Sequence, residues 1–193
     1  AAVIFMDCRD VTKNHRTYNL MIDDPVYKTM ADSAFKVAEE LMLDCTIYAG
    51  IDEASVIFTD IPHLQDAFQM DDCSDYVLAL YMQRFLKHFW KKYPDIFVKN
   101  TIFNIPFGKT KRFIDYRRSV CRTVACFYQA KEKLSPELYK DIDFAEQPIR
   151  DLLIKHDLFD ILRKNDAFYN GIELSYTAPS FLSFMAKTIC DNI

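Results

Sequence analysis

Asp7, Asp52 and Glu53 are the residues whose types and spacing best suit chemistry. Asp52 and Glu53 stand side by side within Thr46-Ile-Tyr-Ala-Gly-Ile-Asp-Glu-Ala-Ser-Val-Ile-Phe58, and Asp7 ends the apolar run Val3-Ile-Phe-Met6. Adjacent carboxylates repel unless a cation lies between them, so two acids in one turn are an odd choice for turn-making alone. Hard oxygen donors suit Mg²⁺, and two such ions about 4 Å apart stabilise both oxygens of an in-line phosphoryl transfer. The competing reading makes the three acids turn and cap residues on a surface loop. Convergence of Asp7 and Asp52 at matching ends of adjacent strands would favour metal binding.

The flanking residues supply those strands. Thr46–Ala49 and Ala54–Phe58 are small, β-branched or aromatic, and Gly50 is expected to provide the unusual φ of a tight hairpin. Val3–Met6 reads as a buried strand, and the polar stretch Asp7–Asn19 as a loop whose amides suit a phosphate. Between them, Asp24-Pro25 signals a helix start, with Asp as N-cap and Pro at the first helical position. Val26, Met30, Ala34, Val37, Ala38, Leu41 and Met42 then recur at helical spacing to about Leu43. A second helix, capped by Ser74 or Asp72, runs to about Lys92, and strand candidates follow at Ile96–Val98 and Thr101–Phe107.

The resulting βαββαβ order predicts an α+β, ferredoxin-like fold, an antiparallel sheet of four strands backed by helices. Gly108–Arg112 reads as a basic loop and Ile114–Leu134 as a third helix, while 137–193 is helical, with a hairpin or strand around Asn170–Tyr176. The expected division is a palm-like catalytic domain at 1–112 and a helical region at 113–193 packed on it.

Composition narrows the class. The chain has 193 residues, half of them hydrophobic, and only three glycines, so disorder is disfavoured. No apolar run reaches the roughly 18 residues of a membrane span. Six scattered cysteines without C-x-x-C spacing disfavour zinc and predict a reduced, cytoplasmic chain. From Arg84 to Arg122 there are eleven Lys or Arg against Asp95 and Asp115, a net +9 in a chain of net −4, leaving −13 elsewhere. Such segregation provides one face able to meet polyphosphate, although a solvated helix face is the simpler alternative. Arg117, Arg118 and Arg122 suit bidentate phosphate contact, or else ion pairs with the acidic tail.

Asp7-Cys8-Arg9, the helix from Pro25, Gly50-Ile51-Asp52-Glu53-Ala54-Ser55-Val56-Ile57-Phe58 and Tyr116-Arg117-Arg118-Ser119-Val120-Cys121-Arg122 occur in an order and spacing that is similar to one family. The chain resembles the tRNA-histidine guanylyltransferases, in particular their shorter 3′–5′ RNA polymerase relatives of the tRNA 5′-end repair type. Those proteins carry a strand ending Asp-Gly-Arg, then a helix, then a hairpin reading roughly Gly-Gln-Ser-Asp-Glu-x-Ser-Phe-Val-Phe. The similarity spans about residues 3–135.

The resemblance implies a Mg²⁺-dependent 3′–5′ nucleotidyltransferase that adds nucleotides to the 5′ end of tRNA, with ATP and GTP or other NTPs as substrates. It implies Asp7, Asp52 and the Cys8 carbonyl as metal ligands, with Asp7, Asp52 and Glu53 as the catalytic set. Cys8, Arg9, Asp10, Val11, Thr12, Lys13 and Ser74 would bind the incoming nucleotide. Lys109, Lys111, Arg112, Arg117, Arg118 and Arg122 would hold a second triphosphate or the RNA 5′ end. A homo-oligomer, tetramer or dimer, is also implied.

Two departures stand out: Cys8 replaces the glycine of Asp-Gly-Arg, and Gly50-Ile51 replaces Gln-Ser before the acids. The run that family members use on the histidine anticodon is replaced by Arg122-Thr-Val-Ala-Cys-Phe-Tyr128, favouring a repair-type or divergent relative. The alternatives are a palm-type nucleotide cyclase or oligonucleotide synthase, and a non-catalytic palm that binds RNA or nucleotide.

Overall fold

The computed structural model describes residues 1–9, 11, 25–58, 74–106 and 108–179. Its frame is a five-stranded, wholly antiparallel sheet. In chain order the strands are β1 (Ala2–Cys8), β2 (Cys45–Gly50), β3 (Glu53–Phe58), β4 (Val98–Asn104) and β5 (Ile172–Tyr176), arranged β4-β1-β3-β2-β5. The first four strands take the expected ferredoxin-like order. The fifth comes from the C-terminal region, so segments on either side of residue 112 share one sheet and one core.

Helices cover both faces, and strand alternation decides which residues meet which helix. Helix α1 (Val26–Leu41) and helix α2 (Ser74–Phe89) lie on one face. There Phe58 meets Tyr81 of α2 edge-to-face at 5.4 Å, and the Cys8 thiol reaches Met30 Sδ of α1 at 3.5 Å. The helix α3 (Thr110–Lys133) crosses the opposite face, with Arg117 over the Phe5 ring at 4.6 Å. After a 3₁₀ turn at Pro136–Leu138, the short helices α4 (Glu146–Lys155), α5 (Phe159–Lys164) and α6 (Asp166–Asn170) pack against α3 and lead into β5. Phe168, fully buried, joins this layer to Tyr27 of α1 and Tyr128 of α3.

Several local expectations are revised. Pro25 occupies the N-cap of α1 rather than its first turn, and Asp24 lies outside the described residues. The helix closes at Met42, whose left-handed backbone lets its N–H reach the Ala38 and Glu39 carbonyls. In place of the two strand candidates after Pro94 there is the single strand β4, Val98–Asn104. Ile96, Phe97 and Ile105 are not part of it, and Phe107 lies outside the described residues. Lys111 and Arg112 belong to the first turn of α3, not to a loop.

The hairpin turn is the most instructive revision. Gly50 pairs with Glu53, leaving Ile51 and Asp52 as the two turn residues, and the positive φ falls on Ile51 at 54°. A β-branched residue there is a backbone outlier, held in place by its own burial at 2% exposure. Gly50 is needed for proximity instead: a methyl group on it would lie 2.7 Å from Cys121 Sγ of α3. Gly50→Ala is therefore expected to lower stability by about 1–3 kcal/mol, the usual range for overpacking. Adding Cys121→Ala should recover part of that loss in a urea denaturation series. Additive losses in the double variant would show that the glycine serves some other purpose.

Candidate active site

The sheet rim assembles the acidic residues. Asp7 lies opposite Glu53 in the β1–β3 register, and the Cys8 amide donates to the Asp52 carbonyl at 2.7 Å. Asp7 and Asp52 thus reach the same end of neighbouring strands, each half-buried. Strand parity sends Phe5, Asp7 and Glu53 towards α3 and sends Cys8 to the opposite face. The Cys8 side chain is therefore buried beside Met30 and takes no room at the acidic rim.

Arg117 answers Glu53 from α3. Its Nε donates to Glu53 Oε1 at 2.8 Å and its Nη2 to Oε2, a two-pronged pair in which both side chains are 14% exposed. Below the guanidinium lies the Phe5 ring. Burial lowers the pKa of Arg117, while Tyr48, Asp7, Cys121 and Asp52 all favour its charged form. Asp7 and Asp52 also act on Cys8, raising its thiol pKa beyond what burial alone achieves. One guanidinium and one thiol therefore feel both aspartates.

The donor chemistry fits Mg²⁺. This ion keeps several waters and is held by one or two carboxylates together with substrate phosphates, rather than by an all-protein cage. Asp7 and Asp52 offer two carboxylates at an open rim. Among the described residues no group of three or more His, Cys, Asp or Glu side chains gathers to hold a metal.

The nucleotide-binding residues expected after β1 are only partly described. The Arg9 amide is bonded to the Phe97 carbonyl at 2.9 Å, and its guanidinium lies 5.7 Å from the centre of the Phe97 ring. Val11 is fully buried, so it offers no exposed surface to a ligand. Asp10, Thr12 and Lys13 lie outside the described residues, and Ser74 begins α2.

The basic residues of α3 diverge. Lys111 and Arg118 share a cleft of about 400 Å³ with Thr46 and Glu173, where Arg118 pairs with Glu173 of β5 at 2.7 Å and with Asp115. Arg122 points to a second cleft of about 370 Å³, shared with Arg150, Arg163 and Tyr169; its Nε donates to Asn170 at 2.6 Å. Lys109 and Arg112 are exposed. The partners Phe5, Glu173 and Asn170 escaped the sequence reading. Period-two alternation in β1 could have placed Phe5 beside Asp7, but nothing local pairs residue 118 with 173.

Burial pushes the thiols up throughout: Cys121 to about 11, and Cys45 and Cys126 to about 12. A raised folded-state pKa means stability that is complete below the unfolded thiol value and lost as pH rises. The urea midpoint is accordingly expected to hold up to about pH 9, then fall as pH climbs towards 11 and 12. Iodoacetamide at pH 8 should leave Cys8, Cys45, Cys121 and Cys126 unmodified in the native protein by mass mapping. Rapid native alkylation of Cys8 would instead mark it as a candidate nucleophile.

No family model matches the chain, and no curated protein does. Solved structures do match. A bacterial tRNA(His) guanylyltransferase (Thg1)-like protein in complex with ATP superposes with TM-score 0.58 at 12% identity, over 90% of this chain and 75% of that one. The tRNA(His) guanylyltransferase of Saccharomyces cerevisiae superposes with TM-score 0.56 at 11% identity, over 94% and 90%. A bacterial Thg1-like protein in complex with GTP gives 0.50 at 13%, over 68% and 66%. The resemblance read from the motif order is thus borne out in the fold, which at these identities is what the likeness shows. Among the described residues no helix is long and apolar enough to cross a membrane.

Proposed function

We propose that this chain is a nucleotidyltransferase that adds nucleotides in the 3′–5′ direction to the 5′ end of tRNA. The observation that carries this reading is the convergence of Asp7 and Asp52 at the β1–β3 rim, in a fold shared with guanylyltransferase-like proteins solved with ATP and GTP. The 3′-hydroxyl of the incoming nucleotide attacks the 5′ phosphorus of the RNA, forming a P–O bond. Pyrophosphate leaves when the 5′ end is a triphosphate, and AMP leaves when it has been activated by ATP.

Asp7, Asp52 and the Cys8 carbonyl would hold Mg²⁺, which supplies charge stabilisation at the attacking and leaving oxygens. Arg9, exposed at the end of β1, would position the incoming triphosphate. Lys111 and Arg118, sharing a cleft, and the exposed Lys109 and Arg112 would meet the RNA end. Glu53 supports the rim through Arg117. A reduced, cytoplasmic setting suits the free, buried thiols among the described residues.

The test uses labelled 5′-triphosphorylated tRNA lacking its first nucleotide, with each NTP and Mg²⁺. Growth at the 5′ end supports the reading. Cyclic or linear oligonucleotides from NTP alone would assign a signalling synthase, and retained tRNA without product would leave a binding module.

A further inference from the structure

We infer that Arg117 is the resident counter-cation of the acidic rim, holding Glu53 away from Asp7 and Asp52 and restraining how tightly that pair binds a divalent cation. The inference rests on the reading of Asp7 and Asp52 as the metal-binding pair.

Three carboxylates reach this end of the sheet within one register step, since Asp7 faces Glu53 and Asp52 precedes it. Together they would make a strongly attractive, mutually repelling cluster for any divalent ion. The fork of Arg117 instead engages both oxygens of Glu53. A planar guanidinium matches a carboxylate in this way, and few other side chains can. Glu53 is thereby committed to α3, and among the described residues no three-acid ligand set forms.

Arg117 is itself fixed from two directions. Phe5 lies beneath it at 4.6 Å, on the same face and strand as Asp7, and Tyr116 flanks it at 5.8 Å. The guanidinium stays within electrostatic reach of Asp7 and Asp52, which both favour its charge. A fixed positive charge beside a ligand pair opposes a second cation there, and at 14% exposure water screens it little. Arg117 is a positioning residue by this account: it acts through Glu53 and through its field.

Mn²⁺ binding to the full chain, without nucleotide, tests this by calorimetry. Arg117→Gln removes the charge and releases Glu53, so it should bind Mn²⁺ on the order of tenfold more tightly than the parent chain. Arg117→Lys keeps the charge and should stay nearer the parent. Glu53→Gln leaves the guanidinium unneutralised beside the aspartates and should weaken binding; this variant carries the test if Arg117→Gln does not fold. Unchanged or weaker binding in folded Arg117→Gln, or unchanged binding in Glu53→Gln, would overturn the inference while leaving the metal pair intact. A parent chain that binds no Mn²⁺, or binds it equally well as Asp52→Asn, would remove both the metal reading and the inference.

Discussion

Asp52→Asn is expected to lower 5′-end nucleotide addition by roughly 100-fold or more, the scale on which a transition-state charge stabiliser is lost. Asn keeps the size and planar shape of the side chain and removes the charge. The local backbone should persist, because Cys8 is bonded to the Asp52 carbonyl rather than to its side chain. Asp7→Asn should behave alike, since the two acids reach the rim from neighbouring strands. Neither variant should unfold the chain, as both acids stand half-buried at the rim rather than in the core. What each loses in attraction to Arg117 is offset by less repulsion between the acids. The measurement is the initial rate of 5′ extension beside a melting curve. Full activity in folded Asp52→Asn would move the chemistry elsewhere. Full activity in Asp7→Asn alone would leave Asp52 as the sole essential acid.

Gly171→Ala should be the most damaging of the three possible Gly→Ala changes, costing about 2–5 kcal/mol from backbone strain and overpacking together. Gly171 sits between α6 and β5 with φ 74° and ψ −179°, a conformation that belongs almost wholly to glycine. A methyl there would lie 2.5 Å from the Tyr48 hydroxyl and 2.8 Å from the Ala49 carbonyl. The backbone carbonyl cannot swing aside, because β2 is held between β3 and β5. Tyr48 has little freedom either, being fully buried with its hydroxyl donating to the Asn170 carbonyl at 3.0 Å. Relief must come from detaching β5, which would also separate Glu173 from Arg118. Hydrogen exchange should then rise first in β5 and in the facing half of β2. A melting temperature within a degree or two of the parent would show that the strand junction adapts, contrary to this account.

Much of the fold was legible because its signals are local. Helical periodicity places Val26, Met30, Ala34, Val37 and Ala38 on one buried stripe of α1, and all five are fully buried. The apolar run 3–6 became a buried interior strand as predicted, while 54–58, expected to be half-buried, is buried on both faces, Ser55 included. The strands then paired in the order that βαββ connectivity allows. With them came the meeting of Asp7 and Asp52, since both stand at fixed ends of strands whose pairing was predicted.

What escaped the reading involves partners distant in sequence. The Gly50-Ile51 step was misassigned because turn statistics favour glycine at positive φ, whereas here the passage of Cys121 excludes a side chain from residue 50. Arg117, Arg118 and Arg122 look alike in the sequence, three cations on one helix. Packing separates them: one is locked to Glu53, one pairs with β5, and one turns to Asn170.

The sequence by itself determined the element order, the buried stripes and the acids at the rim, because periodicity and capping act over a few residues. Only the tertiary structure decided which face Cys8 takes, what neutralises Glu53, and that a C-terminal strand completes the sheet. Those outcomes depend on contacts that span 22 residues between Cys8 and Met30, 64 between Glu53 and Arg117, and 122 between Tyr48 and Asn170. Burial and Coulomb energy settle such contacts only once the chain has closed on itself.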